Sequence, residues 1–124
     1  MDTPNDRTAE AAPLIPCEGW WDEVIYGRQP MHQLRLRIAN GQITGSGTDI
    51  VGPFTFTGTI SARGGVAMIK QYIGQHQVEY IGAYDGEGTM FGEWRIGPFR
   101  DQWAITLKRP ERTGVVEADV RVIG

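Results

Sequence analysis

The feature that most constrains this chain is a two-residue alternation of apolar and polar side chains, interrupted by turn residues. It is clearest between Met31 and Ala39. One face there carries His32, Leu34, Leu36 and Ile38, and the other carries Gln33, Arg35 and Arg37. Such alternation is typical of a strand with one buried face, whereas an amphipathic helix repeats every 3.6 residues. No segment after Gly19 shows a convincing helical period.

The alternating segments predict eight strands, at 20–27, 31–39, 42–49, 54–60, 66–73, 75–84, 89–96 and 101–108. Turn signals separate them: Gly27–Pro30, Asn40-Gly41, Gly52-Pro53, Gly64-Gly65 and Asp85-Gly86. Short consecutive strands joined by tight turns favour an up-and-down meander, and closing the sheet removes its exposed edges. We therefore predict an all-β fold, an eight-stranded antiparallel up-and-down barrel.

The 124 residues fit one compact domain. We expect a flexible tail at 1–18, the barrel at 19–109 and a C-terminal extension at 110–124. The β-like stretch Val115–Ile123 would extend an edge or pair with another chain. The first residues lack the basic-then-apolar order of a secretory signal, so we expect a cytoplasmic protein. Cys17 is the only cysteine, which excludes an internal disulfide.

The charge pattern argues against several partners. Fifteen acidic residues oppose twelve basic ones without any basic run, so a surface for nucleic acid is not expected. No basic amphipathic helix suggests binding to a membrane surface. Neither a metal site nor a cofactor is predicted, because the two histidines lie far apart without metal-ligand spacing.

Lys70 is the most informative residue, because alternation places it on the inner face with Met68 and Tyr72. A buried ammonium is costly unless it is paired, and Asp49 is the nearest inward carboxylate in the pattern. The two side chains could fix a polar group of a ligand. The alternatives are a structural ion pair at the barrel mouth and a lysine that reaches solvent.

Other residues complete a candidate ligand site. His32 and His76 both fall on predicted inner faces near strand starts, where a histidine serves as a general base, a pH-sensitive contact or a satisfied rim residue. Several aromatic residues would either line an apolar cavity or fill the core: Tyr72, Tyr80, Trp94 and Trp103, with Tyr26, Phe54, Phe56 and Tyr84. Inward glycines would leave interior space or only bend the strands: Gly45, Gly47, Gly58, Gly82 and Gly92.

Several short motifs resemble the avidin family in their order. Gly19-Trp20-Trp21 resembles the Gly-x-Trp that opens the first strand of avidins and lipocalins. The run Val66–Tyr72, followed by His76 and Tyr80-Ile81-Gly82-Ala83-Tyr84, resembles the middle hairpin of avidins. The run Met90–Ile96 resembles the avidin strand with a Gln-Trp pair, and Trp103 falls where that family has a late tryptophan. The resemblance covers Gly19 to Lys108 and implies an eight-stranded, often oligomeric barrel.

The residues with which avidins bind biotin are not matched. Glu23 stands where the biotin binders have an asparagine, and Tyr80 stands where they have a tryptophan. Leu107-Lys108-Arg109 occupies the place of the late aspartate. A pocket built to hydrogen-bond a ureido group fails when its polar partners change, so the resemblance implies an avidin-like barrel that does not bind biotin.

Three functions remain open from the sequence. The leading hypothesis is a barrel that binds a small, partly apolar molecule with Asp49, Lys70, Tyr72, His76, Tyr80, Trp94 and Trp103. The second is a cofactor-free enzyme of the cyclase or isomerase type, with Lys70, His76 and a tyrosine as acid/base candidates. The third is a structural or self-association module, a possible homo-oligomer using the outward Ile69, Ile81 and Phe91.

Overall fold

The computed structural model describes residues 12–109. Eight strands follow one another: β1 (Ile15–Glu23), β2 (Gly27–Ala39), β3 (Gln42–Thr48), β4 (Pro53–Ile60), β5 (Gly65–Tyr72), β6 (Gln77–Tyr84), β7 (Thr89–Ile96) and β8 (Phe99–Leu107). Each pairs antiparallel with the next, and β8 pairs with β1 to close the barrel. The predicted fold class is therefore confirmed. The described residues include no helix capable of crossing a membrane.

Two predicted segments extend beyond the described chain. The first eleven residues of the predicted tail lie outside it, as does all of the predicted extension at 110–124. Within the described part, β1 begins at Ile15, so residues 15–18 of the predicted tail form the start of this strand. Ile15 and Pro16 pair with β2, and Cys17 pairs with Leu107 of β8.

The first predicted turn is wrong in position. The chain turns at residues 24–26, and Gly27–Pro30 belong to β2, where they pair with β1. The apolar residues Val24 and Ile25 extend the strand pattern across this turn, which is why alternation placed the strand end too late. Gly27, whose φ is 75°, adopts the left-handed conformation at the point where this turn ends and β2 begins.

A β-bulge corrects the predicted face of His32. The pairing of β2 with β3 shifts register between His32 and Arg35, and Gln33 adopts φ of 52°. A bulge inserts one extra residue and reverses the side-chain alternation beyond it. Met31 and Leu34 therefore point into the barrel, while His32 is exposed.

The interior is filled by side chains from all eight strands. The predicted inner face of β5 is confirmed, since Val66, Met68, Lys70 and Tyr72 are each at most 3% exposed. Phe56, Leu36, Met90 and Ile105 are completely buried. Close packing of this kind matches the dense interiors of small barrels.

Several inward glycines allow neighbouring strands to approach closely. Gly82 and Gly92 lie opposite each other on β6 and β7. A Cβ on Gly92 would collide with the backbone of Ile81 and Gly82, and a Cβ on Gly58 would collide with the backbone of Ala67 and Met68. These contacts favour the second interpretation of the glycines, in which they shape the strands.

Candidate functional site

The two ends of the barrel differ in their chemistry. Because consecutive strands are antiparallel, the turns at 24–26, 49–52, 73–76 and 97–98 meet at one end, here called the mouth. The turns at 40–41, 61–64 and 85–88 meet at the opposite end. Within the described part of the chain, the large hydrophobic residues that are exposed lie almost entirely at the mouth: Val24, Ile25, Tyr26, Ile50, Val51, Ile73 and Phe99, together called the apolar rim. The turns of the opposite end carry small, polar and charged residues.

Asp49 begins the β3–β4 turn at the mouth, and its carboxylate is fully hydrogen-bonded. Its Oδ2 accepts from Lys70 Nζ at 2.6 Å, from Tyr72 Oη at 2.7 Å and from Trp21 Nε1 at 3.1 Å. Its Oδ1 accepts from the backbone N–H of Val51 at 2.9 Å. These four donors satisfy the carboxylate, which is why it can be buried.

Lys70 lies on β5 with its ammonium at the centre of five aromatic rings, here called the aromatic box. Its Nζ is 4.2 Å from the ring centroid of Phe54, and the centroids of Tyr72, Tyr80, Trp21 and Phe56 lie at 4.9, 5.3, 5.4 and 6.0 Å. Ring faces attract a cation and partly replace its lost hydration. Nζ also donates to the hydroxyl of Tyr80 at 3.2 Å.

Burial dominates the protonation of these groups. It lowers the pKa of Lys70 from its ordinary 10.5 to about 8, although the neighbouring Asp49 carboxylate opposes this change. Burial together with Asp49 raises the pKa of Tyr72 and of Tyr80 well above 10. Both tyrosines therefore remain neutral hydrogen-bonding groups, whereas Lys70 loses its proton at a lower pH than an ordinary lysine.

Trp103 and Trp94 occupy different parts of the site. The ring of Trp103 packs on that of Tyr80 with centroids 5.1 Å apart, and its buried indole N–H has no acceptor among residues 12–109. The indole N–H of Trp94 donates to the carbonyl of Asp22 at 2.9 Å. Trp94 therefore lies nearer the mouth, where its ring and that of Trp21 are nearly perpendicular, with centroids 6.2 Å apart.

An apolar cleft of about 580 Å³ opens at the mouth. It lies between the β1–β2 and β7–β8 turns and is lined by Glu23, Val24, Ile25, Trp94, Ile96, Phe99, Arg100 and Asp101. Trp94, only 9% exposed, connects this cleft with the interior cluster below. An apolar cavity of a few hundred Å³ bordered by a few polar groups is the usual form of a small-molecule site.

The structure brings most of the predicted site residues together. Asp49, Lys70, Tyr72 and Tyr80 form one hydrogen-bonded group, and Trp103 packs against it. His76 is the exception, because it lies exposed in the β5–β6 turn, where its ring contacts that of Tyr72 with centroids 5.1 Å apart. The predicted strand at 75–84 begins only at Gln77, so alternation did not apply to His76.

Sequence reasoning missed Trp21 and the residues that line the cleft. Trp21 was noticed only as part of a motif, although its indole holds Asp49. Val24, Ile25 and Phe99 carry a usable signal, since large apolar side chains in or next to turns are unusual when turns are expected to be polar. Cys17 is no candidate, because burial raises the pKa of its thiol to about 11.

Comparison with known proteins identifies no relative. No family model, no curated protein and no solved structure matches this chain. The resemblance to the avidins therefore remains a prediction from the sequence, and any function must be argued from the site itself.

Proposed function

We propose that this protein binds a small, partly apolar molecule at the mouth of the barrel. The observation that carries the proposal is the concentration of exposed apolar side chains in the mouth turns, around a cleft of about 580 Å³. Exposing this many large hydrophobic residues together is costly in water, and such patches mark binding surfaces.

The geometry suggests how the ligand would lie. Its apolar part would fill the cleft above Trp94, between Ile25 and Phe99. The interior below is occupied by the aromatic box and by a lysine and an aspartate that satisfy each other. A ligand that fills the cleft therefore fits the mouth better than the centre of the barrel. The hydrogen-bonded cluster forms the rigid base of the site.

The neutral dye Nile red provides a test that needs no knowledge of the natural ligand. We expect saturable binding with a rise in fluorescence, and a roughly ten-fold weaker Kd for Phe99→Ser, because a buried phenylalanine contributes ~1.5–3 kcal/mol. Phe91→Ser is the matched control, since Phe91 is 49% exposed on the outer wall of β7. Equal loss of binding in both variants, or no saturable binding, would contradict a site at the mouth.

A second candidate, self-association, is favoured by one observation on the wall. Trp20, Ile81 and Phe91 line an outer groove of about 620 Å³ across β6, β7, β8 and β1. A second copy could cover this groove and form a homo-oligomer. Sedimentation velocity separates the two roles: Phe91→Ser would reduce the mass of an oligomer without weakening Nile red binding, and a wild-type monomer at high concentration would remove the second candidate.

A further inference from the structure

We propose that the mouth cleft selects an organic cation, an ammonium group carried on an apolar body. The inference rests on the proposed function and deepens it, because it names the chemical class of the molecule that binds at the mouth. It adds to the apolar side chains of the cleft two carboxylates that line its walls, those of Glu23 and Asp101.

The first support is the way in which β1 and β8 separate at the mouth. Their antiparallel pairing ends at Trp21 and Trp103. β1 nevertheless continues to Glu23, and β8 begins as early as Phe99. Beyond the last pair, the residues of β1 pair with β2 and those of β8 pair with β7. The barrel wall therefore opens between β1 and β8, and the cleft lies where these strands diverge.

The second support is that the two carboxylates face each other across this opening. Extending the register of the last pair by two residues places Glu23 opposite Asp101. Both then belong to the inner face, which Trp21 and Trp103 share, because side chains alternate along a strand. Like charges opposite each other on neighbouring strands repel, and neither carboxylate has an ion-pair partner among residues 12–109. A cation bound between them would relieve this repulsion.

The third support is that each carboxylate keeps one oxygen for a ligand. Oε2 of Glu23 accepts from the backbone N–H groups of Ile25 and Tyr26 at 2.7 and 2.6 Å. Oδ1 of Asp101 accepts from the backbone N–H of Gln102 at 2.9 Å. These bonds hold both side chains in place, and the second oxygen of each has no donor within the described part of the chain. An ammonium group offers three donors and no acceptor, so it suits two acceptor oxygens.

The fourth support is the rest of the cleft lining. Trp94 and Phe99 supply aromatic rings, which attract cations. Arg100 also borders the cleft, but alternation on β8 places it on the outer face, where its guanidinium lies 3.9 Å from the Glu93 carboxylate. The inner side of the cleft is therefore acidic, and this charge favours a cation over an anion of the same shape.

Three ligands of nearly one shape test the charge: the ammonium ion of 2-naphthalenemethylamine, the neutral 2-naphthalenemethanol, and the anion 2-naphthoate. Isothermal titration calorimetry of the full chain at neutral pH gives the Kd of each. We expect the ammonium ion to bind roughly ten-fold more tightly than the alcohol, and 2-naphthoate to bind least tightly. Added salt should weaken binding of the ammonium ion far more than binding of the alcohol.

Two variants locate the effect. Asp101→Asn and Glu23→Gln keep the size of the side chain and an oxygen for the backbone N–H, but remove the charge. Each should weaken binding of the ammonium ion several-fold and leave the Kd of the alcohol unchanged, which also shows that the variant is folded. Glu87→Gln is the matched control, since Glu87 is exposed in the turn at 85–88 of the opposite end. It removes the same charge and should change no Kd.

The outcomes separate this inference from the proposed function. If the alcohol binds as tightly as the ammonium ion, or 2-naphthoate binds best, selection of a cation is wrong and mouth binding stands. An equal loss of affinity in Glu87→Gln and Asp101→Asn would also overturn it, because the net charge of the molecule would then explain the preference. If none of the three ligands binds, both proposals fail. The comparison of ligands on the wild-type protein decides the matter even if a variant does not fold.

Discussion

At the scale of single residues, the interior is organised around one carboxylate. Asp49 accepts from Lys70, Tyr72, Trp21 and the backbone of Val51, so β1, β5 and the β3–β4 turn are joined at one side chain. A buried ion pair adds little net stability, but removing one partner leaves the other charge uncompensated and costs ~3–5 kcal/mol. The pair therefore constrains the positions of the elements that it joins more than it stabilises the fold.

The lowered pKa of Lys70 predicts an unusual dependence of stability on pH. Between about pH 8 and pH 10, the unfolded chain holds a proton on Lys70 that the folded chain has released, because the pKa is about 8 in the fold and 10.5 ordinarily. The free energy of unfolding should therefore rise with pH in this window, by up to ~1.4 kcal/mol per pH unit. Above about pH 10, the raised pKa values of Tyr72 and Tyr80 reverse the trend.

Urea denaturation across this pH range measures the effect. Lys70→Met should lose the rise between pH 8 and pH 10, and Lys108→Met should keep it, because Lys108 lies on the surface. A wild-type protein whose stability is flat or falls over the same window would show that Lys70 is not desolvated as described.

At the scale of elements, the sequence predicted strands well and their ends less well. Alternation located all eight strands because each has one buried face, and it placed Lys70 and Tyr72 inward on β5. It failed at His32, where a bulge reverses the faces, and at His76, which lies in a turn. Alternation carries no information about such irregularities, since they depend on pairing with the neighbouring strand.

The glycine pair between β6 and β7 gives a prediction at this scale. Gly92→Ala should destabilise the barrel by ~1–3 kcal/mol, because its Cβ would meet the backbone of Ile81 and Gly82 and force the two strands apart. Gly65→Ala on β5 is the matched control, with Ser61 Oγ as the nearest atom at 3.2 Å. We expect that control to change the free energy of unfolding by less than about 1 kcal/mol. Equal effects of the two substitutions in urea denaturation would contradict this account of the strand packing.

At the scale of the whole molecule, the decisive feature is the difference between the two ends. The turns of the opposite end are polar and tight, as at Asn40-Gly41 and Asp85–Gly88. The mouth turns instead carry the apolar rim, directly above the Asp49 and Lys70 pair. The sequence contains every one of these residues, but only the alternation of turns between the ends of a closed barrel brings them together.

The most direct test of this asymmetry is a titration of the ¹⁵N-labelled protein with 2-naphthalenemethanol, followed by backbone amide chemical shifts. Binding at the mouth predicts saturable shift changes concentrated in the turns at 24–26, 49–52, 73–76 and 97–98, together with the indole N–H of Trp94. Changes centred on the turns at 40–41, 61–64 and 85–88, or on the outer groove beside Phe91, would contradict the account.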